Sequence, residues 1–269
     1  MFLLKINITL FTLIGILVVS GCTSKTETPE STTGKLTLHF DHEIEQAPIV
    51  FDTMRYTNAA GNKYLVNEIQ YFISDVTLHH TDGRKIPLDA WEDIHYVDTD
   101  LPDTHDYLFK DEIEPGDYTR LSFTFGINEV KNQTLMFVNP PESFMFWPDN
   151  LGGGYHYMKL NGKWLNPSNQ VVPFDFHLGI GQIYYSYPDS ITSFVQNYFT
   201  VELPQSAFSI TANQTTNIEL VMQVENWFQS PNLYDHNTWG GDIMQNQEAM
   251  ILGVKNGWDV FKVKNINTK

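Results

Sequence analysis

GYHYMKLNGKW, residues 154–164, and PFDFHLGI, residues 173–180, decide the fold. In the first, alternation sets Tyr155, Tyr157 and Lys159 against His156, Met158 and Leu160; in the second, Phe174, Phe176 and Leu178 oppose Asp175 and His177. A period of two is that of a half-buried strand, whose side chains point to opposite faces in turn. The same pattern recurs in KLTLHF (35–40), QYFISDVTLHH (70–80), DIHYVDT (93–99), YTRLSFTFGI (118–127), NYFTVEL (197–203) and TNIELVMQVEN (216–226). Eight such segments separated by Gly, Pro, Asn and Asp predict an all-β chain, an antiparallel β-sandwich. Helical spacing appears once, in residues 241–256, where Ile243, Met244, Met250, Ile251 and Val254 would line a short C-terminal helix.

Working outward, the N-terminus has a different character. Residues 1–21 hold one lysine, Lys5, then the apolar run ITLFTLIGILVV and the small residues Ser20 and Gly21 before the single cysteine, Cys22. That order predicts a signal peptide. The run Leu17-Val18-Val19-Ser20-Gly21-Cys22 resembles the lipobox of bacterial lipoproteins, which implies lipidation of Cys22 and a location in the cell envelope, at the outer membrane or cell surface. Residues 22–34 lack large apolar side chains beyond the cysteine and read as a flexible tether, leaving 35–269 as the domain.

Composition excludes several classes. With 16 basic and 32 acidic side chains, a formal net charge of −16, the surface would repel a phosphate backbone, so nucleic acid is not an expected partner. One cysteine permits neither a disulfide framework nor a cysteine zinc site. The chain has no GxxxxGK[ST], GxGxxG, GxSxG or HExxH motif, and no nucleophile and base pair stands out, which points to a binding protein rather than an enzyme. The triplet Gly152-Gly153-Gly154 is followed by neither lysine nor helix and reads as a tight lead into the next strand.

What remains is imidazole on strands. His156 and His177 lie on separate predicted strands, and imidazole with thioether suits copper better than calcium or magnesium. His79, His80 and His105 sit beside turn residues and read as solvent-facing, with His105 the natural surface control; His236 lies in the polar stretch YDHNTWGG. The acidic run 98–106 spaces Asp98, Asp100 and Asp103 as if for calcium, but Pro102 and the lack of a closing glutamate favour a solvated loop. Tyr184, Tyr185 and Tyr187 offer either core packing or a sugar-stacking platform.

The order NEIQYFISDVTL, IHYVD, PGDYTRLSFTFGI, MFWPDNLGGGYHYMKLNGKW and FDFHLG resembles the MbnP-like family of extracytoplasmic copper proteins, in its lipoprotein branch, over roughly residues 36–228. The resemblance implies a β-sandwich outside the cytoplasm and a di-haem cytochrome c peroxidase-like partner, which in some relatives oxidises a tryptophan to kynurenine that binds copper with two histidines. The histidine of the FHLG block corresponds to His177, the tryptophan of the MFW block to Trp147, and His95 falls on a family strand where a second ligand could lie. The implied metal set is therefore His177 with His95 or His156, and Trp147 is either a site-adjacent aromatic, open to modification, or a plug over the core. This chain departs from the pattern: Asp149 stands where many relatives have a second tryptophan, Asp93 lies two residues before His95, and no Trp-x-His occurs. A surface glycan-binding or adhesion module without metal is the alternative function.

Overall fold

The computed structural model describes residues 32–88 and 93–269. The signal peptide and Cys22 lie outside the described residues. Strands make up 47% and helices 14%, arranged as two facing sheets and a separate hairpin of Gly181–Ser186 with Ser190–Val195.

The larger sheet is organised by one long strand, Lys63–His80. Its first half pairs with Met158–Leu165, which pairs in turn with Val171–Leu178; its second half pairs with Gly116–Phe125, which continues to Phe199–Leu203. Ile94–Asp98 pairs along the opposite edge, with Gln70 to Ser74. All these pairings are antiparallel, as expected. The smaller sheet runs Phe261–Thr268, Thr215–Gln223, Lys35–Ile44, with short strands completing its edge. Here one pairing departs from expectation: Lys35–Ile44 runs parallel to Thr215–Gln223, because the long intervening chain returns from the far side of the sandwich.

Alternation on Lys35–Ile44 turns Leu36, Leu38, Phe40 and His42 inward. Phe40 and Phe261 of the smaller sheet meet Tyr71, Phe123 and Phe125 of the larger, with ring centroids 5.3–6.5 Å apart and mostly edge to face, the geometry aromatic rings prefer. This aromatic layer is the core between the sheets.

The outer face of the larger sheet positions the candidate site. Directly paired residues share a face, so His177, Lys159, Gln70 and Asp98 form one row across four strands, and Asp175, Asn161 and Glu68 form the next. A polar row would be ordinary if exposed, but residues 137–156 fold over part of it. Phe137 stacks on Phe72 at 5.4 Å, and Lys159 Nζ donates to the Phe144 carbonyl at 2.5 Å.

The C-terminal helix is Gln247–Asn256, capped by the Asn246 side chain on Ala249 N–H. It buries Met250 as predicted, but beside Ala249, Gly253 and Asn256 rather than Ile251 and Val254. Ile243 is buried ahead of the helix, while Ile251 and Val254 are only half-buried. Gly253 lies against Phe176, so the small residue decides which face docks.

Candidate metal centre

The site is built from the covering segment downward. Its turn carries Gly153 and Gly154 at φ +71° and +77°, a left-handed backbone that glycine adopts without strain, so the triplet is a lead into the sheet as read. Strand geometry begins only at Met158, so the alternation expected upstream does not hold. His156 consequently turns toward Lys159 and His177 rather than sharing the inward face of Met158 and Leu160.

The His156 and His177 ring centroids are 5.1 Å apart with planes at 86°. His156 is buried and His177 half-buried, and each has one nitrogen committed and one free. His156 Nδ1 is 2.9 Å from the Met145 carbonyl, and His177 Nε2 is 2.7 Å from Asn161 Oδ1. Oxygen acceptors require those nitrogens to carry the protons, and Asn161 is oriented because its NH2 donates to Glu68 Oε2 at 3.2 Å. The lone pairs therefore sit on His156 Nε2 and His177 Nδ1, which are buried with no hydrogen-bond partner. Burial, aided by the Lys159 charge, pulls His156 down to about 3; burial, then His156 and Lys159, hold His177 well below the ordinary histidine value. Both rings stay neutral at physiological pH. Two imidazoles with fixed tautomers and buried, unpaired lone pairs are the donor set of a soft or borderline metal, and Asn161 and the Met145 carbonyl are the outer hydrogen-bond partners such ligands require.

Trp147 is fully buried beside them, its ring 4.6 Å from His156, with Nε1 donating to the Leu151 carbonyl at 3.1 Å. It is a plug and site-adjacent at once. Gly179 makes room for it: a Cβ there would sit 2.5 Å from the indole.

A profile of the MbnP family matches residues 33–248, well over half the chain. The chain belongs to the MbnP family. Among solved structures it is similar to the MbnP from Methylosinus trichosporium, at 13% identity and a TM-score of 0.48, over 75% of this chain and 79% of that one. No curated protein matches it. Membership of the MbnP family suggests a metal-related, extracytoplasmic protein.

Within this MbnP fold the expected metal set divides. His95 pairs with Ile73, on the core side of the larger sheet, so the sheet separates it from His177. It stacks flat on Tyr107 at 4.3 Å, and its Nε2 is 2.8 Å from the Thr104 carbonyl. His79 is not solvent-facing: it lies inside the long strand, buried, with Nε2 2.8 Å from Ser122 Oγ. His80 and His105 are half-buried, and His236 is fully buried against Phe174 at 4.4 Å because its short helix folds onto Trp164 and Phe228. The acidic run is not simply solvated either. Asp98 is buried, accepting from Gln70 and the Tyr96 hydroxyl, and Glu68 rather than Asp103 joins it and Asp100, with ligand atoms within 4.8 Å of one another.

Two residues escaped the sequence reading. Asn161 stands diagonally across the ladder from His177, a neighbour that the paired blocks imply once their register is known. His42 continues the inward series Leu36, Leu38, Phe40, a signal already present in the alternation.

Proposed function

We propose that this protein binds copper between His156 Nε2 and His177 Nδ1, on the outer face of the larger sheet, as a lipid-anchored protein of the cell envelope. The observation that carries the reading is the pair of buried, unpartnered lone pairs on two adjacent imidazoles. Lining up two such acceptors without a cation between them costs desolvation free energy with no return, about 1–3 kcal/mol for each unsatisfied group. Copper would supply an electron-accepting centre; the chain supplies fixed ligand tautomers, a water-excluding cover and the neighbouring indole of Trp147. The lipobox at Cys22 supports the anchor, and family membership supports a partner of the di-haem cytochrome c peroxidase-like class. Among the described residues no acid, base and nucleophile arrangement accompanies the histidines, and the role proposed is binding rather than turnover. Metal analysis of the purified protein and of His177→Ala tests this: copper in the first and one equivalent less in the second is expected, and equal copper in both overturns it.

One observation favours the second reading. Tyr184 and Tyr187 meet at 5.1 Å beside a cleft of about 540 Å³ whose other walls include Gln182, Gln245 and Glu248. Aromatic faces with amide and carboxylate groups suit a pyranose ring. Glycan-array binding lost in Tyr187→Ala but kept in His177→Ala would support it.

A further inference from the structure

We infer that a second soft-metal site lies between the two sheets' edges, formed by His42 and His105. His42 points inward from Lys35–Ile44 and is buried, with Nε2 lacking any hydrogen-bond partner. Its ring lies 5.5 Å from that of His105, with planes at 64°. His105 closes the 3-10 turn Pro102–His105, and its Nε2 donates to the Asp98 carbonyl at 3.2 Å, which leaves the lone pair on Nδ1.

A third group points to a ligand independently. The Tyr71 ring contacts His42 at 5.7 Å, and the Tyr71 hydroxyl is also buried without a partner. The two orphaned polar groups are adjacent, and together they mark a place where something polar binds. Burial holds the Tyr71 phenol protonated, so it serves as a hydrogen-bond donor to a water or hydroxide on the metal rather than as a ligand. Burial and the neighbouring His105 hold His42 neutral at about 3, the form that coordinates.

His39 is the next ring, 6.2 Å from His105, but it plays another part. Its Nδ1 meets Asp106 Oδ1 at 2.7 Å and its Nε2 meets Asp41 Oδ1 at 3.3 Å, so both nitrogens are already committed. Two neutral imidazoles and no available carboxylate suit Cu(I), which accepts low coordination numbers, better than calcium or magnesium. The site is independent of the His156 and His177 pair, which lies on the opposite face of the larger sheet.

The test is anaerobic Cu(I) titration of the full-length protein against a chromogenic Cu(I) chelator. Wild type should withhold two equivalents, His105→Ala one, His177→Ala one, and the double variant none, with His80→Gln unchanged at two. Since His105 is half-buried, His105→Ala should fold, and circular dichroism checks it. In Cu(I)-loaded His177→Ala, the ring-proton NMR signals of His42 and His105 should shift together. Two equivalents retained by His105→Ala, or unmoved His42 and His105 signals, overturn the second site. Loss of one equivalent in His105→Ala with none lost in His177→Ala would instead overturn the outer-face site alone.

Discussion

The rings of His156 and His177 meet edge to face with centroids 5.1 Å apart, and each commits its proton to another group, the Met145 carbonyl and Asn161. The tautomers are thereby set by groups on two different structural layers, the covering segment and the sheet itself.

Because Asn161 fixes the His177 tautomer, Asn161→Ala should weaken copper binding by about 10-fold or more while leaving both histidines in place, the range seen when outer hydrogen-bond partners of metal ligands are removed. Chelator competition measures it. His95→Asn, on the other side of the sheet, should leave the outer-face affinity unchanged.

Gly179→Ala places a methyl against the Trp147 indole. Overpacking of this kind costs about 1–3 kcal/mol. Urea denaturation should show a lower midpoint with the same slope.

His236 gives the stability a pH dependence of definite sign. Burial, against the nearby Asp235 carboxylate, lowers it to about 4, whereas an unfolded histidine titrates near ~6.5. Between those values the unfolded chain binds the extra proton, so the contribution is complete above the unfolded value and is lost as pH falls through the window, at about 1.4 kcal/mol per pH unit. His42 and His156, both held to about 3, act in the same direction. His236→Phe keeps an aromatic ring against Phe174, so its stability relative to wild type should rise steadily from pH 6.5 to 4.5 in thermal melts. A constant difference across that range would show that His236 does not take up the proton on unfolding.

Cys22→Ser should move the protein from the membrane fraction to the soluble one, and fatty-acid labelling of wild type alone should accompany the shift. Membrane retention of the substituted protein without label incorporation in wild type counts against the anchor.

The strands and their faces were legible wherever alternation ran unbroken, as in PFDFHLGI and KLTLHF. His177 was found this way, and His42 could have been. Legibility ends where the backbone leaves the strand: Gly152 to Tyr157 are irregular, so alternation assigns His156 the wrong face. The IHYVD block alone does not give the face of His95, and only register shows that its pairing with Ile73 puts it on the core side. His236 and His79 looked polar by their sequence neighbours, yet tertiary packing buries them. Asn161 carries no signal alone, since its importance lies in a cross-strand diagonal.

The parallel ladder joining Lys35 to Thr215 and Glu43 to Gln223 unites the opening strand with one of the last. A nascent chain halted at residue 214 holds every residue of the larger sheet's long strands, but it lacks Thr215–Gln223, the ladder partner of Lys35 to Glu43, and Phe261, which closes on Tyr71, Phe123 and Phe125. Completion of the aromatic layer must therefore wait for the final fifth of the polypeptide, and a C-terminal deletion that spares both histidines of the outer face would still leave the sandwich with one wall unfinished.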